Sequence, residues 1–404
     1  MKKEVAALLI LLLLTLPLAG CFTDGPGRAA AATELDERLL AANTGFAFKL
    51  LPQLLQGSPG ENVFFSPASV ALALAMTYNG AAGVTQEEMA RVMGIENMSL
   101  AELNTANRDL LSILENPDRG VQTLLANSLW PAADAELLPD FVDRITKYYK
   151  AEVSSLDYTE ADAVKTINKW VAKRTKDKIP QLFNDLSPTT RLVLVNALYF
   201  KAAWSEPFKK GLTHEAPFYL EDGSTVTVPM MHREGTFYCL EGAGFKAVRL
   251  PYGKEGRVAM YVFVPEEGPD AFVASLTPEN WQTWLSSFRP ENDAQVFLPR
   301  FSTRFSRELN EPLKQLGMEA AFSDKADFSG MTPGGGWFIS LVKHEAVIDV
   351  NEEGTEAAAA TGVAMDEAAV LDPFILRADK PFVFAVCDEM TETILFLGII
   401  KNPQ

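Results

Sequence analysis

The stretch HEAVIDVNEEGTEAAAATGVAMDEAAVL, residues 344–371, decides how the chain is read. It opens as a strand, Ala346-Val347-Ile348-Asp349-Val350, and breaks at Asn351-Glu352-Glu353-Gly354. A run of small residues follows. At a period of two, one face holds Thr355, Ala357, Ala359, Thr361, Val363 and Met365 and carries no charge, while the other holds Glu356, Ala358, Ala360, Gly362, Ala364 and Asp366. That is a strand pattern with one buryable side and one wet side. Yet alanine and glycine form strands poorly. The segment is a candidate mobile loop, with an alanine-rich helix or a surface linker as alternative readings.

The rest of the chain must choose between them. Its 404 residues, 48% hydrophobic and 22% charged, have ordinary globular composition and length for a large core. A net charge of −17 argues against nucleic acid or an anionic lipid surface as partner, since either needs a basic footprint. The run Lys173-Arg174-Thr175-Lys176-Asp177-Lys178 reads as a solvated helix end, where cations favour the dipole. No internal repeat is visible.

Lys2-Lys3, an apolar run over 5–18 and Leu18-Ala19-Gly20-Cys21 together make a signal peptide over residues 1–20. The last four residues are similar to the prokaryotic lipobox, which implies lipidation at Cys21 and an extracytoplasmic protein tethered to the membrane. Residues 21–33 then form a flexible tether. Cys239 and Cys387 sit in apolar strand-like surroundings and are expected as buried free thiols, not as a disulfide framework.

From residue 34 the pattern is helical: 34–55, then 67–79 with Ser66 as N-cap before Pro67, then a helix from Thr85 with Glu88 completing a capping box. Further helices are expected at 99–115, 139–149 and 160–176. Residues 191–200 form a near-continuous apolar run that suits a strand buried on both faces, and its one internal polar residue, Asn196, needs a hydrogen-bond partner there. Strands are expected at 224–230, 236–240, 246–250, 258–264 and 293–300. Helices follow near 269–275, 278–288 and 307–316, and strands at 374–376, 381–387 and 393–400. Helices first and strands later, without βαβ alternation, predict an α+β fold in a single domain over 34–404.

Enzyme patterns fail in turn. No serine has glycine two before and two after it, and there is no H-E-x-x-H, C-x-x-C or Walker sequence. His214, His232 and His344 are far apart. Gly242-Ala-Gly-Phe-Lys-Ala fits a permissive dinucleotide pattern but leads into a strand. No metal or cofactor is expected.

Several ordinary motifs nevertheless fall in one order. Asn62-Val-Phe-Phe-Ser66-Pro-Ala-Ser69 precedes Gly80-Ala-Ala-Gly-Val-Thr85. Val195-Asn196-Ala-Leu-Tyr-Phe-Lys-Ala-Ala-Trp204 with Pro207-Phe208 comes next. Then come His344, Glu352-Glu-Gly-Thr-Glu-Ala-Ala-Ala359, and finally Lys380-Pro-Phe-Val-Phe384 with Phe396-Leu-Gly398. Over residues 34–403 this set resembles the serpins, the serine protease inhibitor superfamily.

The resemblance implies three β-sheets, eight or nine helices and an exposed reactive-centre loop. A protease cleaves that loop, becomes trapped as an acyl-enzyme and is dragged across the molecule as the loop inserts into the largest sheet. Gly354, Thr355, Glu356, Ala357, Ala358 and Ala359 match the hinge, and the small uncharged face avoids burying ions. Fourteen inserted residues would move the cut end by roughly 46 Å. Ser66, Ser69, Asn196 and His344 match a gate beneath the sheet centre, and Trp204 matches the tryptophan where insertion begins. Counting from Gly354 places the reactive bond at Ala368–Ala369; counting back from Pro381 allows Val370–Leu371. A small residue there suggests an elastase-like or subtilisin-like serine protease, and no Lys or Arg between 354 and 371 invites a trypsin-like one. Heparin-type activation is not expected, because helix 99–115 carries Arg108 against three acids. The alternatives are a non-inhibitory serpin acting as a binding or structural protein, and an unrecognised hydrolase. A monomer is expected.

Overall fold

The computed structural model describes residues 35–115, 117–334, 336–355 and 373–404. The first helix, α1 (Glu37–Gln56), starts where the Asp36 carboxylate accepts from the Arg38 amide, and it buries Leu39, Phe46, Leu50 and Leu54. After β1 (Val63–Phe65), α2 (Pro67–Tyr78) is capped by the Ser66 hydroxyl, which accepts from the Ser69 amide at 3.3 Å. Every residue of α2 is buried. Its apolar residues run all round the helix, so no face is left for solvent.

The third helix departs from expectation. α3 (Gly83–Met93) begins two residues before Thr85, and its N-cap residue Ala82 offers no side chain. Thr85 and Glu88 are spent elsewhere: Thr85 Oγ1 accepts from the Asp327 amide (2.9 Å) and Glu88 Oε2 from the Ala320 amide (2.7 Å). What reads as a local cap is a long-range tie. α4 (Leu100–Glu115), α5 (Pro139–Tyr149) and α6 (Ala163–Arg174) follow the predicted spans within a few residues.

Several strands went unpredicted, and two of them are long. β2 (Val121–Pro131) has no period-two burial because its two faces enter separate cores, Val121 and Leu129 on one side and Ala126 and Trp130 on the other, and it pairs with β4 (Leu192–Ala203) from Val121↔Ala202 to Pro131↔Leu192. β10 (Phe301–Glu308) does alternate, Phe301, Thr303 and Phe305 turning inward, and it replaces the start of the helix expected from 307. The helix proper, α9, is Asn310–Gln315.

The central sheet has the order β10-β11-β4-β2-β3, with β3 at Glu152–Val153 and β11 at Leu341–Val350. β11 and β4 are parallel, from Leu341↔Val193 to Ile348↔Phe200. A two-residue strand, β12 (Gly354–Thr355), pairs antiparallel with β4.

The remaining strands are β5 (His214–Tyr219), β6 (Thr225–Gly242), β7 (Phe245–Tyr252), β8 (Val258–Pro265), β9 (Arg289–Pro299), β13 (Ile375–Arg377), β14 (Phe382–Asp388) and β15 (Thr393–Ile400). Two of the expected sheets join here, because β6 is one continuous strand where two were predicted. Its first part pairs with β5 and its last part with β7, while β9 pairs with it through a register shift between Gly235 and Phe237. α7 (Pro269–Ala274) and α8 (Pro278–Ser287) cover β8 and β6. Phe64, Phe200 and Phe396 lock the two sheet systems together, with ring centroids 5.0 and 5.2 Å apart, each such pair contributing about 0.5–1.5 kcal/mol beyond its buried area. The architecture is α+β, with nine α-helices among the described residues.

Candidate functional site: the seam between the two parallel strands

Two groups of residues lie along the seam where β11 meets β4. The first sits at mid-sheet. Asn127 on β2, Asn196 on β4 and His344 on β11 are cross-strand partners, so three adjacent strands each place one polar side chain at the same level. All face the amino end of α2. Asn196 Nδ2 donates to the Ser69 carbonyl at 3.1 Å and also reaches Ser69 Oγ and Asn127 Oδ1.

His344 completes the string. Its Nε2 accepts from the Ser66 amide at 3.3 Å, so the proton belongs on Nδ1, which donates to Asn196 Oδ1 at 2.5 Å. Complete burial, reinforced by the Lys343 charge, pushes the imidazole pKa down to about 3, and the ring is neutral at ordinary pH. Thus four expected residues, Ser66, Ser69, Asn196 and His344, do converge. Ser66 takes part through its backbone and its cap, not by a hydroxyl contact to Asn196 or His344. Asn127 was missed, although one asparagine in an apolar strand carries the same signal that identifies Asn196.

The second group sits at the end of the seam. β11 stops at Val350, and a tight turn closes with Asn351 N donating to Gly354 O (2.8 Å) and Gly354 N to Asn351 O (3.1 Å). The chain then re-enters beside β4, with Gly354 opposite Ala203 and Thr355 opposite Ala202. Gly354 adopts φ +132°, and a Cβ there would collide with the Ala202 carbonyl oxygen and lie 2.6 Å from the Trp204 nitrogen. Only glycine fits. Thr355 is fully buried, its hydroxyl 3.2 Å from the Tyr252 hydroxyl.

Trp204 anchors this turn. Its indole stacks on Tyr252, centroids 4.2 Å apart at 9°, and its Nε1 donates to the Asn351 carbonyl at 2.9 Å. Its own amide donates to Glu353 O, and the Phe208 amide to Glu352 O. The Glu352 side chain is only 2% exposed and accepts from Arg300 (2.5 Å) and Thr213 Oγ1 (2.7 Å). Burial alone would raise its pKa; the hydrogen bonds from Arg300 and Thr213 outweigh that and hold the carboxylate below its ordinary range. Lys210 pairs with Glu353 at 2.5 Å. Glu352 stands in the motif that leads into the hinge; Arg300, Thr213 and Tyr252 were not predicted for the site, and no local pattern marks them, since they come from three other parts of the chain.

Glu356, Ala357, Ala358, Ala359, the Ala368–Ala369 bond and Cys21 lie outside the described residues. Cys239 and Cys387 are buried and free, as expected. Among the described residues no group of three or more His, Cys, Asp or Glu could hold a metal ion, and no helix is long and apolar enough to cross a membrane.

The scaffold is thus a sheet whose central strands run parallel, with two residues of antiparallel chain paired to β4 at one end of their seam. Comparison with known proteins gives that scaffold its class. The family model described as serpin (serine protease inhibitor) matches residues 41–403. The leukocyte elastase inhibitor of Bos taurus is 38% identical over 384 residues, spanning 91% of this chain and all of that protein. An uncharacterized serpin-like protein of Thermococcus kodakarensis is 37% identical over 91% of this chain and 87% of its own length. Among solved structures, human thyroxine-binding globulin in complex with thyroxine superposes with a TM-score of 0.84 at 31% identity, covering 91% of this chain and 98% of that one. Native tengpin, a thermophilic serpin, gives 0.84 at 29%, covering 91% and 95%. The chain belongs to the serpin family.

Proposed function

We propose that the protein is a suicide-substrate inhibitor of a serine protease with a preference for small residues, elastase-like or subtilisin-like. The observation that carries this reading is the seating of Gly354 and Thr355: the turn after β11 has begun a strand against β4, with Thr355 buried on the core face. In the same register the residues that follow would put Ala357, Ala359, Thr361 and Val363 on that face, and none of them brings a charge into the core. Cleavage at Ala368–Ala369 would release the strand to continue along the seam. The Asn196–His344 bond spans that seam and has to open as the strand passes, which gives Ser66, Ser69, Asn196 and His344 a gating role, with Trp204 holding the point of entry. The likeness to a protein named for elastase inhibition supports the choice of target class. A lipid on Cys21 would hold the inhibitor at the outer side of a membrane, where it meets secreted proteases.

The test is direct. Mixed with an elastase-like enzyme, the protein should form a covalent complex that survives SDS, together with a released carboxy-terminal fragment beginning at residue 369. Complete loop cleavage without complex would overturn the inhibitory reading and favour a non-inhibitory binding protein.

A further inference from the structure

The connection from α6 to β4, residues 175–191, lies on the outer face of the central sheet, opposite α2. Its Ile179, Leu182 and Phe183 pack there with Val193 and Val195 of β4 and with Val347 of β11. Two contacts fix where it crosses. Lys178 Nζ lies over the Tyr199 ring of β4, 5.0 Å from its centre, and the Gln181 carbonyl accepts from Arg304 of β10 at 2.6 Å. Tyr199, Val347 and Arg304 are cross-strand partners in turn, so they stand level across β4, β11 and β10. Between Lys178 and Gln181 the chain therefore passes over the β11–β4 seam. The crossing lies between Ala202, where Thr355 is paired, and Asn196 of the gate, so a strand entering the seam meets it first.

A strand placed in that seam sets β4 and β10 three strand spacings apart, about 14 Å, where they now stand about 10 Å apart. Three residues of chain reach about 10 Å at most. The added width must come from the two side chains or from lifting of the connection. Its fastening at Arg304 is lopsided. Arg304 Nε lies 2.6 Å from Glu345 Oε1 of β11, yet neither oxygen of that carboxylate receives a well-directed hydrogen bond among the described residues. Glu345 is fully buried, whereas Arg304 is half exposed. The cross-strand neighbours of Glu345 are Ala197 and Ser306, and Lys343, the next residue on its face, stands opposite Glu308. A buried carboxylate held by one charge contact costs free energy for as long as it is kept from water.

We propose that Arg304 and Glu345 are positioning residues that form a weak catch on this connection: Arg304 fastens it across the seam, and the buried Glu345 carboxylate keeps the fastening weak enough to lift as a strand enters. Lifting parts Arg304 from Gln181 and returns the carboxylate to water. The other end stays clipped to α6, where Asn168 Oδ1 accepts from the Leu182 and Phe183 amides, both at 2.9 Å, and Asn168 Nδ2 donates to the Phe183 carbonyl at 2.8 Å. The role in strand entry rests on the function proposed above; the fastening itself does not. Removing a buried charge that lacks hydrogen bonds should tighten the uncut molecule, and the same change should make it a poorer trap.

The experiment uses the full uncut chain and two readouts. The first is hydrogen exchange at the Ile179, Leu182 and Phe183 amides, which bond to Thr175 Oγ1 and to Asn168. Glu345→Gln should slow it about tenfold. Arg304→Met, which leaves the carboxylate buried without its partner, should speed it about tenfold, and adding Glu345→Met should reverse that. The second is the ratio of SDS-stable complex to cleaved, released inhibitor after mixing with an elastase. Glu345→Gln should lower that ratio about two- to threefold, part of the shift appearing in the rate of entry, while Arg304→Met should not lower it. Exchange in Glu345→Gln at the wild-type rate or faster, or no reversal in the double variant, overturns the catch. Exchange that shifts as expected with an unchanged ratio overturns its role in strand entry. If wild type itself forms no complex, the functional reading falls and that role with it, and the exchange rates still decide the fastening.

Discussion

His344 and Asn196 reach each other across the seam between β11 and β4, Nδ1 to Oδ1 at 2.5 Å, and they do so at the one level where β2 also contributes an amide, Asn127. The bond ties together two strands that must separate if a third is to come between them. It is made by a neutral imidazole in a fully buried place.

Acid should therefore weaken the native form through this ring. The folded pKa of about 3 lies below the ordinary 6.5. The stability it contributes is complete above roughly pH 6.5 and is lost as pH falls toward the folded value, by roughly 1 kcal/mol for each pH unit. Urea titrations of wild type and His344→Gln between pH 7 and 4 isolate the term, because all other acid-sensitive groups are common to both. Parallel pH dependences would show that the ring is not the source.

Gly354→Ala puts a Cβ against backbone atoms of β4. Strain of about 1–3 kcal/mol is expected if the turn holds. The alternative is release of β12 from β4, which removes that strain and the pairing together. Hydrogen exchange distinguishes the variant from wild type in either case: protection of the residue 354 and 355 amides should fall. Unchanged protection would mean that the close approach is not a constraint.

Glu352 and Arg300 form an unequal pair, the carboxylate buried and the guanidinium half in water. Arg300→Met leaves an uncompensated buried charge and should cost about 3–5 kcal/mol. Glu352→Gln keeps an acceptor for Thr213, removes the charge and should cost about 1–2 kcal/mol. The double variant should recover much of the loss caused by Arg300→Met. Equal costs for the two single changes would contradict the burial asymmetry.

Thr355→Arg asks the core face to admit a cation where a buried hydroxyl now meets Tyr252. Entry of the strand should stall at its first residue, and mixing with an elastase should yield cleaved inhibitor without SDS-stable complex. Complex at the wild-type level would contradict the seating of Thr355 as the first step.

The end of β11 and the break at Asn351–Gly354 could be read from sequence because both signals are local: β-branched residues, then a turn containing the one residue that tolerates its φ. Asn196 could be read because a lone amide in an apolar run needs a partner. Arg300, Thr213 and Tyr252 could not, since their roles depend on β10, β5 and β7 lying beside one turn. Thr85 and Glu88 show the reverse error, a local pattern recruited for distant contacts with residues 320–327. β2 hid for a related reason: a strand covered from both sides loses the alternation by which strands are recognised.

The parallel pairing of β11 with β4 has one more consequence. Chain arriving between them from the turn at 351–354 runs antiparallel to both, as β12 already does to β4. Completing that strand exchanges one parallel ladder for two antiparallel ones, which are the more stable kind per residue and twice as many. On the proposed reading the uncut molecule is a sheet with a missing member, and the strand that would fill the place is supplied by the chain that follows Thr355.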